Sequence, residues 1–196
     1  MAVWGRSRVV GPDAGADAGA DAGLVVVDGW GPLADELLAQ LRRCRVTVAG
    51  GRHAADGAEL ALSTTHRPPA AVVLVTEGRT PWWAAAPWQA RGIPHLPLVL
   101  GDTRLVVGPL VLPGRTACLR CAGPPPQPSR VSGSTVPPGT VVLGAAVATV
   151  TVLGTLAGDA SLAGISTEIG LDEVAVTHRL WKVRPECSCT SARMAG

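Results

Sequence analysis

Phenylalanine and tyrosine are absent from this chain of 196 residues, and lysine occurs once, at position 182. Aromatic area therefore has to come from six tryptophans, Trp4, Trp30, Trp82, Trp83, Trp88 and Trp181, most of which are expected to be packing residues. Positive charge rests on arginines scattered in ones and twos, and the formal net charge is only +2. A concentrated basic face is lacking, so neither nucleic acid nor a membrane surface is expected as a partner. The opening MAVWGRSRVVGPDAG holds no apolar run long enough for a signal-peptide core. The expectation is a cytoplasmic protein whose thiols stay reduced.

Charge is also missing from a long internal stretch. No charged residue occurs from Ser132 to Gly158, and 140–157 is almost wholly apolar, close to the ~20 residues that cross a bilayer. The Pro137-Pro138 start and the threonines at 149, 151 and 155 suit a buried helix instead. Leu143, Val147, Val150 and Leu153 fall on one side, and Gly144, Ala148, Thr151 and Thr155 on another, where small residues allow close packing on a sheet. A single span here would also separate the cysteine pairs, which otherwise can share a metal, onto opposite sides of the membrane.

What the chain does contain reads as one α/β domain. Residues 1–23, with a weak candidate strand at 3–10 and the repeat DAGADAGADAG, form a flexible extension. From Leu24 the pattern is βαβ: the apolar run LVVVD (24–28), the amphipathic PLADELLAQLRR (32–43) and a second run, RVTVAGG (45–51). Unbroken apolar runs around a helix imply parallel strands buried on both faces. A short helix at 54–62, a strand at 71–76 and a helix at 82–91 interrupted by Pro87 follow. Short strands at 95–100, 103–107 and 109–112 then read as an antiparallel meander. A Pro/Gly/Ser-rich crossover leads to the apolar helix, and two closing strands lie at 164–169 and 173–183. The domain is expected over 24–190, with a disordered tail at 191–196.

Cys118-Leu-Arg-Cys121 has the spacing of a zinc knuckle, in which one tight turn supplies two thiolates. Cys187-Ser-Cys189 adds a second pair at the end of a predicted strand. Brought together, the four would bind a structural zinc and tie the middle of the fold to its C-terminus. Four thiolates leave no open position for water or substrate, so a structural rather than catalytic metal is expected. Cys44, in RRCRV, reads as a small residue at a helix end. His53, His66, His95 and His178 show no ligand spacing and are expected in loops or the core.

Gly29-Trp30-Gly31-Pro32-Leu33-Ala34 follows a predicted strand, opens a helix and fits G-x-G-x-x-[GA]. In a nucleotide-binding loop the first glycine permits the turn, the second lets a pyrophosphate approach, and the small third residue brings helix and strand together. Trp30 places an indole in that loop, and 49–51 (Ala-Gly-Gly) stand where an acidic ribose ligand belongs. A structural turn without ligand is the alternative, and the heavier one.

The segments VVVDGWGPLADELL, GIPHLPLVLGDTRLVVGPLVLPGRTACLRC and RLWKVRPECSC together resemble the ThiF/MoeB/HesA superfamily of ubiquitin-activating-like adenylating proteins. The resemblance is nearest to its actinobacterial cyclodehydratase and leader-peptide-binding branch. It spans roughly residues 24 to 190 and implies a Rossmann-like, mostly parallel sheet, a tetrathiolate zinc on Cys118, Cys121, Cys187 and Cys189, and a homodimer or partner protein. Gly29, Gly31 and Ala34 would correspond to the phosphate loop for ATP. Adenylating members also bring an acidic ribose ligand, Arg and Lys on the phosphates and an Asp for magnesium. Here no lysine precedes Lys182, no acid follows the second strand, and the second knuckle is one residue short. The expected function is a zinc-stabilised, non-adenylating partner or peptide-binding protein in azoline-forming modification of ribosomal peptides, bound to a precursor peptide or a cyclodehydratase enzyme. An ATP-dependent adenylating enzyme for a C-terminal carboxylate is the second reading, and a structural zinc protein with a vestigial nucleotide site the third.

Overall fold

The structure is a computed structural model that describes residues 23–65, 68–123, 136–172 and 175–189. The expected strand at 3–10, the repeat, His66, the crossover at 124–135 and the tail at 191–196 lie outside the described residues.

Seven strands form one sheet in the order β2-β1-β3-β4-β5-β6-β7. The first four, β1 (Val25–Asp28), β2 (Val48–Gly51), β3 (Ala71–Glu77) and β4 (His95–Leu100), are parallel. The last three, β5 (Arg104–Val107), β6 (Ile165–Gly170) and β7 (Val176–Leu180), extend the sheet antiparallel. This is the mostly parallel α/β sheet with an antiparallel extension expected from the apolar runs.

Alternation along the strands divides the core between two layers. Val25, Val27, Val73, Leu96 and Leu98 face one side, under α1 (Pro32–Arg43) and α4 (Pro138–Leu156). Val26, Val72 and Leu74 face the other, with Ala55 of α2 (Ala54–Thr65) and Trp88 of α3 (Ala86–Ala90). Helix α1 starts on Pro32, whose missing N–H costs nothing at a first turn. It buries Leu33, Leu37, Leu38 and Leu41 at i, i+4, i+5 and i+8, each worth roughly 1.5–3 kcal/mol of apolar transfer.

The long apolar helix α4 lies on the sheet, with Gly144, Ala145, Ala148, Thr149, Thr151 and Val152 buried. It is the one described helix long and apolar enough to cross a membrane by length and composition. A side chain at Gly144 would collide with Leu105 of β5, so the small stripe does bring the helix close to the strands. Val142, Leu143 and Val150 on its outer side remain exposed.

Several expectations need correction in detail. Strand β2 begins at Val48, because Arg45 has φ 60° and the chain is still turning there. Residues 109–112 form only isolated bridges, His95 to Val111 and Leu110 to Ala163, since Pro109 offers no N–H to a ladder. The helix at 82–91 divides into a 3-10 turn over Trp82–Ala85 and the short α3. Of the described tryptophans, only Trp88 is fully buried, at 1% exposure, whereas Trp30, Trp82 and Trp83 are exposed. Aliphatic side chains fill the core, and the indoles cap loops. Cys44 ends α1 as read, but on the surface.

Two substitutions in α4 test this packing by thermal melts. Gly144→Leu is expected to lose about 1–3 kcal/mol through overpacking, net of the roughly 0.5–1 kcal/mol gained by removing a helical glycine. Val150→Glu should stay within about 0.5 kcal/mol of wild type and leave the protein in the detergent-free fraction. Recovery of the wild type only in detergent would overturn the buried-helix assignment.

Candidate functional site: a thiol cluster and two crevices

The turn after β5 carries Cys118 and Cys121, and the chain beyond β7 carries Cys187 and Cys189. Their four sulfurs lie within 4.8 Å of one another. Cys118 Sγ is 3.8 Å from Cys121 Sγ and 3.7 Å from Cys187 Sγ, and Cys121 Sγ is 3.6 Å from Cys189 Sγ. All four are free thiols, far beyond the ~2.05 Å of a disulfide. Four sulfurs placed tetrahedrally ~2.3 Å from a zinc ion stand about 3.8 Å apart, so the donor set and its spacing fit that ion. The backbone N–H of Arg184 donates to Cys121 Sγ at 3.4 Å, as a thiolate acceptor requires. Val111, Ala117, Leu119, Trp181 and Val183 pack around the cluster and keep it dry.

The electrostatics also call for a cation. Burial pushes the Cys118 thiol up. Cys189 is raised by burial and by its hydrogen bonds to Cys187 and Cys121. Cys187 is also opposed by burial, yet the backbone N–H of Cys189 and the neighbouring sulfurs bring it down to about 7. Sulfurs this close oppose one another's ionisation, and a bound dication would relieve that opposition.

A first crevice opens where β1 and β3 diverge toward helices on opposite faces, the place where open α/β sheets bind ligands. Gly29 has φ 139°, and a Cβ there would lie 2.6 Å from Val75 O, so this glycine permits the loop to cross β3. Gly31, at φ 91°, has open space around it and caps α1, leaving its backbone approachable. Ala34 is buried between helix and sheet. The three fingerprint positions therefore lie together, each with its own physical reason.

The cavity beside them, about 570 Å³, is lined by Asp28, Trp30, Arg52, Glu77 and Arg79 among others. Arg52 is the residue after β2, next to the Ala-Gly-Gly end where a ribose-binding acid belongs, and its guanidinium stacks on Trp30 at 4.4 Å from the ring centre. Asp28 accepts the Ala55 N–H at 3.1 Å, and burial raises its pKa.

A second crevice lies on the sheet face that α2 and α3 leave open. Its volume is about 400 Å³, with Pro97, Val99 and Val106 on the floor, and Arg104, Glu168, Arg179, Trp181 and Arg184 among its walls. Arg104 pairs with Glu168 at 2.6 Å, and Arg179 stacks on Trp181 at 3.9 Å. Sequence reading passed over these arginines, although Arg179-x-Trp181 on a predicted strand is the period that places both on one face.

Among the histidines, His53 is exposed beside Asp56, and His178 pairs with Thr167 at 3.0 Å. His95 is a core residue at 1% exposure, and burial holds its imidazole down at about 4.

No protein-family profile and no curated protein matches the chain. Solved structures do, and they show a shared Rossmann-like α/β fold. Escherichia coli MccB with MccA superposes over 89% of this chain and 68% of its own, at a TM-score of 0.65 and 13% identity. A heterocyclase in complex with substrate and cofactor matches 90% of this chain but 27% of its own, at 0.63 and 16%. The heterocyclase TruD matches 85% and 27%, at 0.58 and 17%. At such identities the likeness carries the fold, which is the fold the resemblance in sequence implied.

Two outcomes are expected. Protein purified without chelator should contain about one zinc per chain by elemental analysis, and Cys118→Ser or Cys187→Ser should lose both metal and solubility. Because protons compete with the metal for thiolate sulfur, zinc should be released as pH falls; a metal-free wild type of equal stability would contradict this. For His95, the folded pKa lies below the unfolded value of 6.5. Its neutral form therefore contributes stability that is fully present above about 6.5 and is lost as pH falls toward 4, in total roughly 3 kcal/mol. Melts of His95→Phe against pH should lack that part of the slope.

Proposed function

We propose that this protein is a zinc-stabilised, non-adenylating partner or peptide-binding component of a system that forms azolines in ribosomal peptides. The observation that carries the non-adenylating half is the lining of the switch-point crevice. Arg52 and Arg79 there face Asp28 and Glu77, so the lining is formally neutral, and Arg52 is held over Trp30. A triphosphate brings about four negative charges, and the N-terminus of α1 contributes only roughly 0.3–2 kcal/mol to one of them. β2 ends on Gly50 and Gly51 followed by Arg52, with no carboxylate at the strand end to hold a ribose.

The peptide half is supported by the class of neighbour and by the open crevice. MccB is seen with MccA, and a heterocyclase with its substrate. In this chain the 400 Å³ crevice combines an apolar floor with Arg179 on the exposed edge strand β7 and Arg184 in the segment beyond it. An edge strand offers unpaired backbone groups to an extended peptide. The chain spans 27% of the heterocyclase structures it matches. Val142, Leu143 and Val150 on the outer face of α4 fit a second copy of this chain. Zinc on Cys118, Cys121, Cys187 and Cys189 keeps the knuckle folded, and a reducing cytoplasm keeps its thiols available.

Calorimetric titration with magnesium-ATP, beside a pyrophosphate-exchange assay with candidate precursor peptides, tests the reading. No micromolar binding and no exchange are expected. Micromolar affinity abolished by Gly31→Glu, together with exchange, would establish the adenylating enzyme instead.

A further inference from the structure

One cavity is used by neither the nucleotide loop nor the arginine-lined crevice. It has a volume of about 300 Å³ and lies between the thiol knuckle and the 3-10 turn, with Trp82, Gln89, His95, Cys118, Leu119 and Arg120 among its walls. That volume is at the small end of ligand pockets and suits a single side chain. Its rim is built as binding hot spots are built, from aromatic rings and an arginine. Trp82 and Trp83 are 47% and 57% exposed and stack edge to face at 6.1 Å, while Arg120 lies 5.0 Å over the Trp82 ring.

The walls carry an unusual feature. His95 Nδ1 lies 3.0 Å from the Ile93 carbonyl, which can only accept, so Nδ1 holds the ring proton and Nε2 presents a lone pair. His95 Nε2 and Gln89 Oε1 are both buried, and no donor from the described residues reaches either. Two buried acceptors without donors on one cavity are costly, about 1–3 kcal/mol each, unless a partner supplies the hydrogens.

We infer that this pocket beside the knuckle receives a peptide side chain ending in N–H donors, a primary amide or an ammonium group, with Trp82 and Trp83 holding the flanking apolar residues. The inference rests on the peptide-binding reading above and assigns to it a contact surface separate from both crevices. Ligand N–H groups would donate to His95 Nε2 and Gln89 Oε1, and an amide carbonyl could accept from Arg120. No covalent step is involved.

Capped single residues test this without any precursor peptide, so failure here is separable from failure of the wider function. N-acetyl-glutamine N-methylamide and N-acetyl-lysine N-methylamide are titrated into the full chain by NMR, with N-acetyl-glutamate N-methylamide and N-acetyl-alanine N-methylamide, which lack a primary amide or ammonium group, as comparisons. At least one donor probe should saturate at millimolar concentration, shifting the His95 Nε2 and Trp82 indole resonances. The two comparison probes should bind at least about tenfold more weakly. The glutamine and lysine arms tell an amide from a cation preference. His95→Phe, with metal content and spectrum otherwise intact, should weaken the donor probe about tenfold; Trp82→Ala provides a second variant should that protein not fold. Equal binding of all four probes, no binding, or binding without a shift at His95 would overturn the inference, the last leaving His95 to a resident water alone.

Discussion

Four sulfurs confined within 4.8 Å of one another set the condition on which this structure depends. Two come from the turn after β5 and two from the chain beyond β7, and a gap of 65 residues separates the pairs in sequence. Buried thiols at such spacing cannot all ionise, and left protonated they hold one another only weakly. A dication with four thiolate bonds turns the same arrangement into a crosslink. Such a crosslink would fix where the antiparallel half of the sheet ends, and with it the walls of the open crevice and of the smaller pocket. Arg184, whose N–H reaches Cys121, and Trp181, packed on the knuckle, are positioned by it directly.

The parallel half is organised by a different force. Helices cover both faces of β1, β3 and β4, whereas the edge strand β2, expected to be buried, is largely exposed with its small Ala49, Gly50 and Gly51, and the loops meet at a switch point that in this architecture serves as a ligand site. Here the loop retains the backbone geometry, with Gly29, Gly31 and Ala34 each placed for a physical reason, while the charges around it cancel and an arginine rests on Trp30. The second crevice lies across the sheet, floored by Pro97 and Val99 of β4 and Val106 of β5 and walled in part by the segment that leads to the knuckle.

Much of this was legible in the residues. Unbroken apolar runs marked the parallel strands, 3.6-residue periodicity marked α1, and the small stripe at Gly144 and Ala148 marked the buried side of α4. The two cysteine pairs announced the knuckle through spacing alone, since tight turns of that length present both sulfurs to one point. The second nature of the sites was not legible. Arg52 meets Trp30 because the β1–β2 register sets Asp28 opposite Gly51, and His95 shares a cavity with Cys118; both depend on sheet register and loop paths that no local pattern in the residues specifies. The tryptophans misled for a related reason: an indole is apolar enough to read as core, yet Leu and Val had already filled the space. The short run at 109–112 misled because its Pro109 cannot complete a ladder, whatever its neighbours favour.

Zinc K-edge X-ray absorption on protein purified without chelator bears on the central claim. The account predicts a first shell of four sulfur atoms at about 2.3 Å and no lighter ligand. A shell containing nitrogen or oxygen, or a protein that folds fully with no zinc edge, would contradict it.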